Sequence, residues 1–171
     1  KPFGGDEDYI WSPDSKSILY VSKKKTGTAY AISTDTNIYQ FDISTGQTIN
    51  LSADNKGYDI APQFSKSGIL AWLQMQRDGY EADKNDIVIF KNGTKINLTA
   101  QWDGTVDSFL WSEDNQKIYF IAPIDGTKQL FEVNLPKDKK TQSHIQQLTD
   151  GYFDITHLLG FAKNKIIVSR E

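Results

Sequence analysis

The chain has 171 residues, 38% hydrophobic and 12% aromatic, which suffices for a folded core and matches one large domain or part of a bigger one. Its 22 acidic and 19 basic residues are scattered and leave a net charge of −3, so there is no electrostatic footprint for a nucleic-acid backbone. The absence of cysteine excludes disulfides and thiolate metal sites without fixing the compartment, and no run approaches the roughly 20 apolar residues of a membrane helix.

The predicted elements are strands joined by turns. "YIWSPDSKSILYVS", Tyr9 to Ser22, reads as a short apolar segment, a polar turn and a second apolar segment. Pro13 presets φ for a type I turn, and Ser12 or Asp14 can bond nearby backbone amides. A long insertion, "KKKTGTAYAISTDT", follows; its Lys23-Lys24-Lys25 opening is either a basic patch or the solvated mouth of a loop. "NIYQFDISTGQTINLS" then supplies two more strands around Thr45-Gly46, and a link runs from Leu51 through Gly57 to Asp59.

The same frame returns. "PQFSKSGILAWLQ" (Pro62 to Gln74) leads through the insertion "MQRDGYEADKND" to "DIVIFKNGTKINLT", whose Asn92-Gly93 is a strong hairpin signal, and to a link at Leu98, Gly104 and Asp107. A third copy starts at "FLWSEDNQKIYFIA" (Phe109 to Ala122), continues through "QLFEVNLPKDKKTQSHIQQLT" and ends in a link at Leu148, Gly151 and Asp154. "LLGFAKNKIIVS" (Leu158 to Ser169) begins a fourth, and Gly5 with Asp8 echoes the link ahead of the first. The aromatic anchors Trp11, Phe64, Trp111 and Phe161 are spaced by 53, 47 and 50 residues.

A period near 50 with four strands per unit predicts blades of a β-propeller. The expected fold is all-β: a β-propeller fragment of about three and a half four-stranded antiparallel blades. The units span about 9–52, 61–99, 108–149 and a partial 158–171, within one partial domain covering 1–171. Natural propellers close with about four to eight blades, and the chain opens at Lys1 without an initiator Met or signal peptide, so a piece of a longer protein is expected. Open blade faces predict self-association.

In such meanders the first-to-second and third-to-fourth turns share one face of the disc, and the second-to-third loops and blade links share the other. The two long insertions therefore fall together, and long loops on a rigid scaffold are where binding residues concentrate. Ser12 reads as turn chemistry, since "FSKSG" and "WSEDN" repeat its shape without a shared reactive set. His144 and His157 fall in a strand connection and a blade link, without metal-ligand spacing. The acidic groups at Gly5 to Asp8 and at Glu81, Asp83 and Asp86 lack calcium-loop spacing and read as solvated loop carboxylates, so no metal or cofactor is expected. Sequons at Asn92 and Asn97 matter only in a glycosylating cell. The second insertion packs Arg77, Asp78, Tyr80, Glu81 and Asp83 closely, either as a carboxylate and guanidinium offered to a peptide or as an internal ion pair.

The aromatic-Ser-Pro-Asp frame resembles the propeller repeats of TolB-like and prolyl-oligopeptidase-like proteins. The stretch "NKGYDIAPQFSKSGILAWLQMQRDGYEADKNDI", with "LTAQWDGTVDSFLWSEDNQKIYFIAPIDGTKQLFEV", is similar to propellers of bacterial dipeptidyl or acylaminoacyl peptidases, the type-five dipeptidyl peptidases in particular. In the second unit "SKSG" stands where Ser-Pro-Asp-Gly is usual, leaving that turn less preset. The resemblance implies a periplasmic or secreted serine peptidase whose propeller caps an α/β-hydrolase domain carrying the Ser-Asp-His triad. No catalytic residue is expected in this chain. It further implies restricted entry of short peptides and recognition of the substrate N-terminus, with Glu81 for the ammonium, Arg77 for a peptide carbonyl and Tyr80 as a packing wall. The alternative is a non-enzymatic TolB-like propeller that binds a periplasmic protein or peptide.

Overall fold

The computed structural model describes residues 9–136 and 143–171. Gly5, Asp8 and the acidic group around them lie outside these residues, as does most of the polar stretch before the last strand of the third unit.

Among the described residues, three four-stranded antiparallel meanders follow one another, then a two-stranded one. The first holds β1 (Tyr9–Trp11), β2 (Ser17–Ser22), β3 (Asn37–Asp42) and β4 (Thr48–Asn50), with the short helix α1 (Thr28–Ile32) in its insertion. The second holds β5 (Asp59–Phe64), β6 (Leu70–Gln74), β7 (Asp86–Lys91) and β8 (Thr94–Asn97). The third holds β9 (Ser108–Trp111), β10 (Lys117–Ile124), β11 (Thr127–Asn134) and β12 (Ile145–Gln147). β13 (Ile155–Ala162) and β14 (Lys165–Arg170) form the last hairpin, and they take His157 into a strand instead of the expected link.

Local hydrogen bonds explain why the frame repeats. Ser12, Ser65 and Ser112 each accept, through Oγ, the backbone N–H that restarts the sheet at Ser17, Ile69 and Lys117, at 2.9, 3.0 and 3.1 Å. The Ser12 and Ser112 hydroxyls donate to Asp14 and Asp114 at 2.7 and 2.6 Å, which holds both carboxyls below their ordinary pKa. The left-handed position of each turn is Ser15, Gly68 or Asn115, so Gly68 supplies the conformation that "SKSG" needs without a preset proline. Ser12 is therefore turn chemistry. At the other end, Ser52, Thr99 and Thr149 cap the third strands by accepting from the N–H of Ile38, Ile87 and Leu130 at 3.0, 3.0 and 2.9 Å.

The sheets pack face to face. In β6 and β7, Leu70, Trp72 and Val88 meet Leu19, Val21 and Ile38 of the first sheet, while Ala71, Leu73, Ile87 and Ile89 meet Phe109, Ile118 and Phe120 of the third. Both faces are buried, so the period of two is hidden in an unbroken apolar run. Ile121, Leu130 and Ile155 continue the packing into the last hairpin.

One expectation needs correction. Trp11 was expected to be a core anchor like Trp111, yet it is 55% exposed against 6%. Trp111 buries against the preceding sheet and donates Nε1–H to Gln63 O at 3.4 Å. Trp11, with Tyr9, lies on the face of the first sheet that points away from the second, where no described neighbour covers it. Directly paired residues share a sheet face: Tyr9 pairs with Tyr20 and that with Tyr39, Trp11 with Ile18 and that with Phe41. These six match, by repeat position, the face the third sheet buries through Phe109, Trp111, Ile118, Phe120, Phe131 and Val133.

Two chemically identical substitutions should thus separate. Trp111→Ala is expected to cost about 3–5 kcal/mol and Trp11→Ala less than about 1 kcal/mol, read from urea unfolding midpoints.

Candidate functional site

The second-to-third loops of the first two sheets meet on one face, opposite the Ser12 and Ser65 turns. Asp78 stitches them together, accepting from Ser33 Oγ and from Thr34 N–H, each at 2.7 Å. The Ser33 hydroxyl in particular holds the Asp78 carboxyl below its ordinary pKa. Gly79 N–H donates to Thr34 Oγ1 at 2.9 Å, so the two insertions behave as one surface.

The lysine run is consumed locally. Lys23 donates to Ser33 O at 2.8 Å, Lys24 sits 3.7 Å from the Tyr39 ring centroid, and Lys25 pairs with buried Asp35 at 2.8 Å. It is the mouth of a loop.

The second insertion is clamped at its base. Met75 N–H donates to Tyr58 O at 2.8 Å, and Asn55 Nδ2 donates to Met75 O at 2.8 Å. A Cβ on Gly57 would stand 2.3 Å from Met75 O, so only glycine lets the link pass. Beneath this clamp Asp59 is fully buried and accepts from Trp72 Nε1 and Gln74 Nε2 at 2.8 Å each, and from Asn55 Nδ2 at 3.2 Å. Burial outweighs these bonds and raises the Asp59 carboxyl to about 6. At the far end of the insertion, Lys84 donates to Thr99 O and Trp102 O at 3.1 and 2.6 Å and pairs with buried Asp86 at 2.8 Å.

The nominated residues stand on this platform. Arg77 takes the internal option: Nε donates to both Asp83 oxygens at 2.8 and 3.0 Å, Nη2 bonds Asp83 as well, and the guanidinium lies 4.2 Å from the Tyr80 ring centroid. This pairing lowers the Asp83 pKa and raises that of Arg77. The Arg77 Nη1 atom has no partner among the described residues. Glu81 lines an open cleft of about 410 Å³ together with Tyr80, Tyr58, Lys23 and Ile32. The Tyr58 phenol faces Glu81, and its pKa is raised by burial first and by the Glu81 charge second. Asp83 and Asp86 are thus committed to Arg77 and Lys84, and with Glu81 they make no metal-binding group among the described residues. Neither histidine is near: His144 is exposed beside β12, and His157 Nδ1 lies 3.1 Å from Ser169 Oγ.

Sequence reading missed Asp59, Tyr58 and Ile32. The Gly-and-Asp link pointed to Asp59 as a boundary mark, but nothing local showed a buried carboxylate.

The class is set by the fold: consecutive four-stranded meanders packed face to face are blades of a β-propeller. The acylaminoacyl peptidase of Pyrococcus horikoshii matches with a TM-score of 0.67, over 95% of this chain and 23% of its own, at 16% identity. TolB of Acinetobacter baumannii matches at 0.55, over 84% and 33%, at 21% identity. At these identities the likeness concerns the fold. By sequence the chain is a homologue of the dipeptidyl-peptidase 5 of Porphyromonas gingivalis, 39% identical over 157 residues, 90% of this chain. The chain spans only 22% of that relative's length. In fold it resembles the propellers of peptidases and of TolB. No family model matches it. No helix among the described residues is long and apolar enough to cross a membrane.

Asp59 gives a pH test. Its folded pKa of about 6 lies above the ordinary 3.8, so its contribution to stability is greatest below 3.8 and is lost as pH rises through about 6. Asp42, held near 2 by Ser44 and Thr45, acts in the lower window, losing its contribution as pH falls from 3.8 towards 2. The difference in unfolding free energy between the wild type and Asp59→Asn should therefore shift against the wild type by up to about 3 kcal/mol between pH 4 and 7. Parallel curves over that range would refute the assignment.

Proposed function

We propose that the chain is the substrate-gating, N-terminus-recognising propeller part of an exported dipeptidyl or acylaminoacyl serine peptidase. The catalytic Ser-Asp-His triad belongs to an α/β-hydrolase domain elsewhere in the protein, and residues 1–171 form one partial propeller domain. The observation that carries this reading is the cleft, where Glu81 and Tyr80 line one side on loops fixed by Asp78, with the Arg77 guanidinium stacked on the Tyr80 ring. Identity to dipeptidyl-peptidase 5 adds support.

The division of labour follows from the chemistry. An exposed carboxylate on an anchored loop pairs with a peptide ammonium, and the rest of the cleft selects free N-termini over chain interiors. Arg77 is fixed by Asp83 and retains Nη1 for a peptide carbonyl, so its ion pair sets its position and does not exhaust its donors. Tyr80 closes the wall through its ring. A propeller mouth narrows access to short peptides, and function outside the cytoplasm, periplasmic or secreted, suits a peptide-scavenging enzyme. The TolB-like alternative has fold likeness in its favour, whereas the sequence relatives favour the peptidase.

In the full-length protein, Glu81→Gln is expected to lower kcat/KM for dipeptidyl substrates by about tenfold or more, and Arg77→Ala by a smaller factor, mainly through KM. Unchanged values for both would remove the recognition role. The 171-residue chain itself exposes Tyr9 and Trp11 and, among the described residues, an unpaired edge of β14, and it should self-associate through them. Gel filtration of the chain giving one compact monomer at all concentrations would count against this.

A further inference from the structure

The first insertion has a feature that packing does not explain. Helix α1 buries none of its residues, and Ile32 at its end is 71% exposed. It is nonetheless rigidly presented. Ser33 N–H closes the helix on Ala29 O at 3.0 Å, Lys23 donates to Ser33 O at 2.8 Å, and Ser33 and Thr34 are both bound to Asp78 of the other insertion. A single exposed isoleucine is ordinary. Here a second large apolar group, Tyr80, 56% exposed, lines the same cleft from the opposite loop, and Glu81 stands on the rim. An apolar wall held next to one carboxylate has a definite complement: a cation whose neighbouring substituent is apolar.

Resting on the reading of Glu81 as the ammonium partner, we propose that Ile32 is a specificity-determining residue. With Tyr80 it forms the wall that receives the side chain of the peptide's N-terminal residue, and it favours aliphatic residues there over glycine or acidic ones. The ammonium and that side chain leave the same carbon, so a peptide anchored on Glu81 must lay its first side chain within the cleft. The Glu81 charge opposes an acidic side chain at this place, and a short polar one leaves Ile32 and Tyr80 in water.

The test uses the full-length protein and paired substrates that begin with Leu or Gly and share the second residue and leaving group. Calorimetric binding of the free dipeptides gives a readout independent of turnover. The wild type is expected to prefer Leu over Gly in both measurements, and Ile32→Ser to reduce that preference about fivefold, carried by KM and by dipeptide affinity. Because Ile32 is exposed, the substitution should leave the unfolding midpoint in place, and this is checked alongside. If Glu81→Gln weakens both substrates but Ile32→Ser leaves the Leu-to-Gly ratio unchanged, the role of Ile32 is refuted and the role of Glu81 stands. If Glu81→Gln affects neither substrate, the ammonium site and the proposal built on it fall together.

Discussion

The structure depends on one constraint: the second and third sheets are apolar on both faces, and each lies between two neighbours. The second sheet shows this in a single strand, where Leu70 and Trp72 pack one way and Ala71 and Leu73 the other. Removing either neighbour would return large side chains to water at about 25 cal/mol per Å². The position of every loop follows from this stacking, because blades pressed face to face bring equivalent loops of adjacent sheets side by side. The candidate cleft is therefore a product of blade packing before it is a product of its own residues.

Polar stitching then converts proximity into a fixed surface. Asp78 reaches across 45 positions of sequence to Ser33, and Asn55 reaches Met75 from the link between the sheets. Asp59 lies underneath, with three donors on its oxygens and a carboxyl raised to about 6 by burial. A buried carboxylate is costly unless its acceptors are filled. Its placement at the base of the insertion ties loop geometry to the protonation of one side chain.

The fold was legible because its signals are local and repeated. The Ser in each first turn and the Asn-Gly hairpin act within a few residues, and the Ser or Thr after each fourth strand reaches back only to the strand beside it, so the spacing of strands could be read directly. What failed was whatever depends on the neighbouring sheet. Trp11 and Trp111 occupy the same place in their units and look identical in sequence, but only Trp111 has a described sheet to bury against. Arg77 offered two partners at similar spacing, and the choice of Asp83 over Glu81 depends on how the loop closes. Ile32 and Tyr58 were invisible as site residues, since the cleft joins segments whose separation in sequence carries no periodic signal.

The pairing of Arg77 with Asp83 sets the charge balance of the second insertion. A guanidinium placed beside Glu81 would neutralise its charge. Asp83 takes Arg77 in a two-point bond and Glu81 faces the Tyr58 phenol, while the stacked Tyr80 ring holds the cation at a set height. Lys23, which lines the cleft, donates to Ser33 O and lies over the Tyr30 ring. Arg77 and Lys23 are thus both engaged by partners other than Glu81.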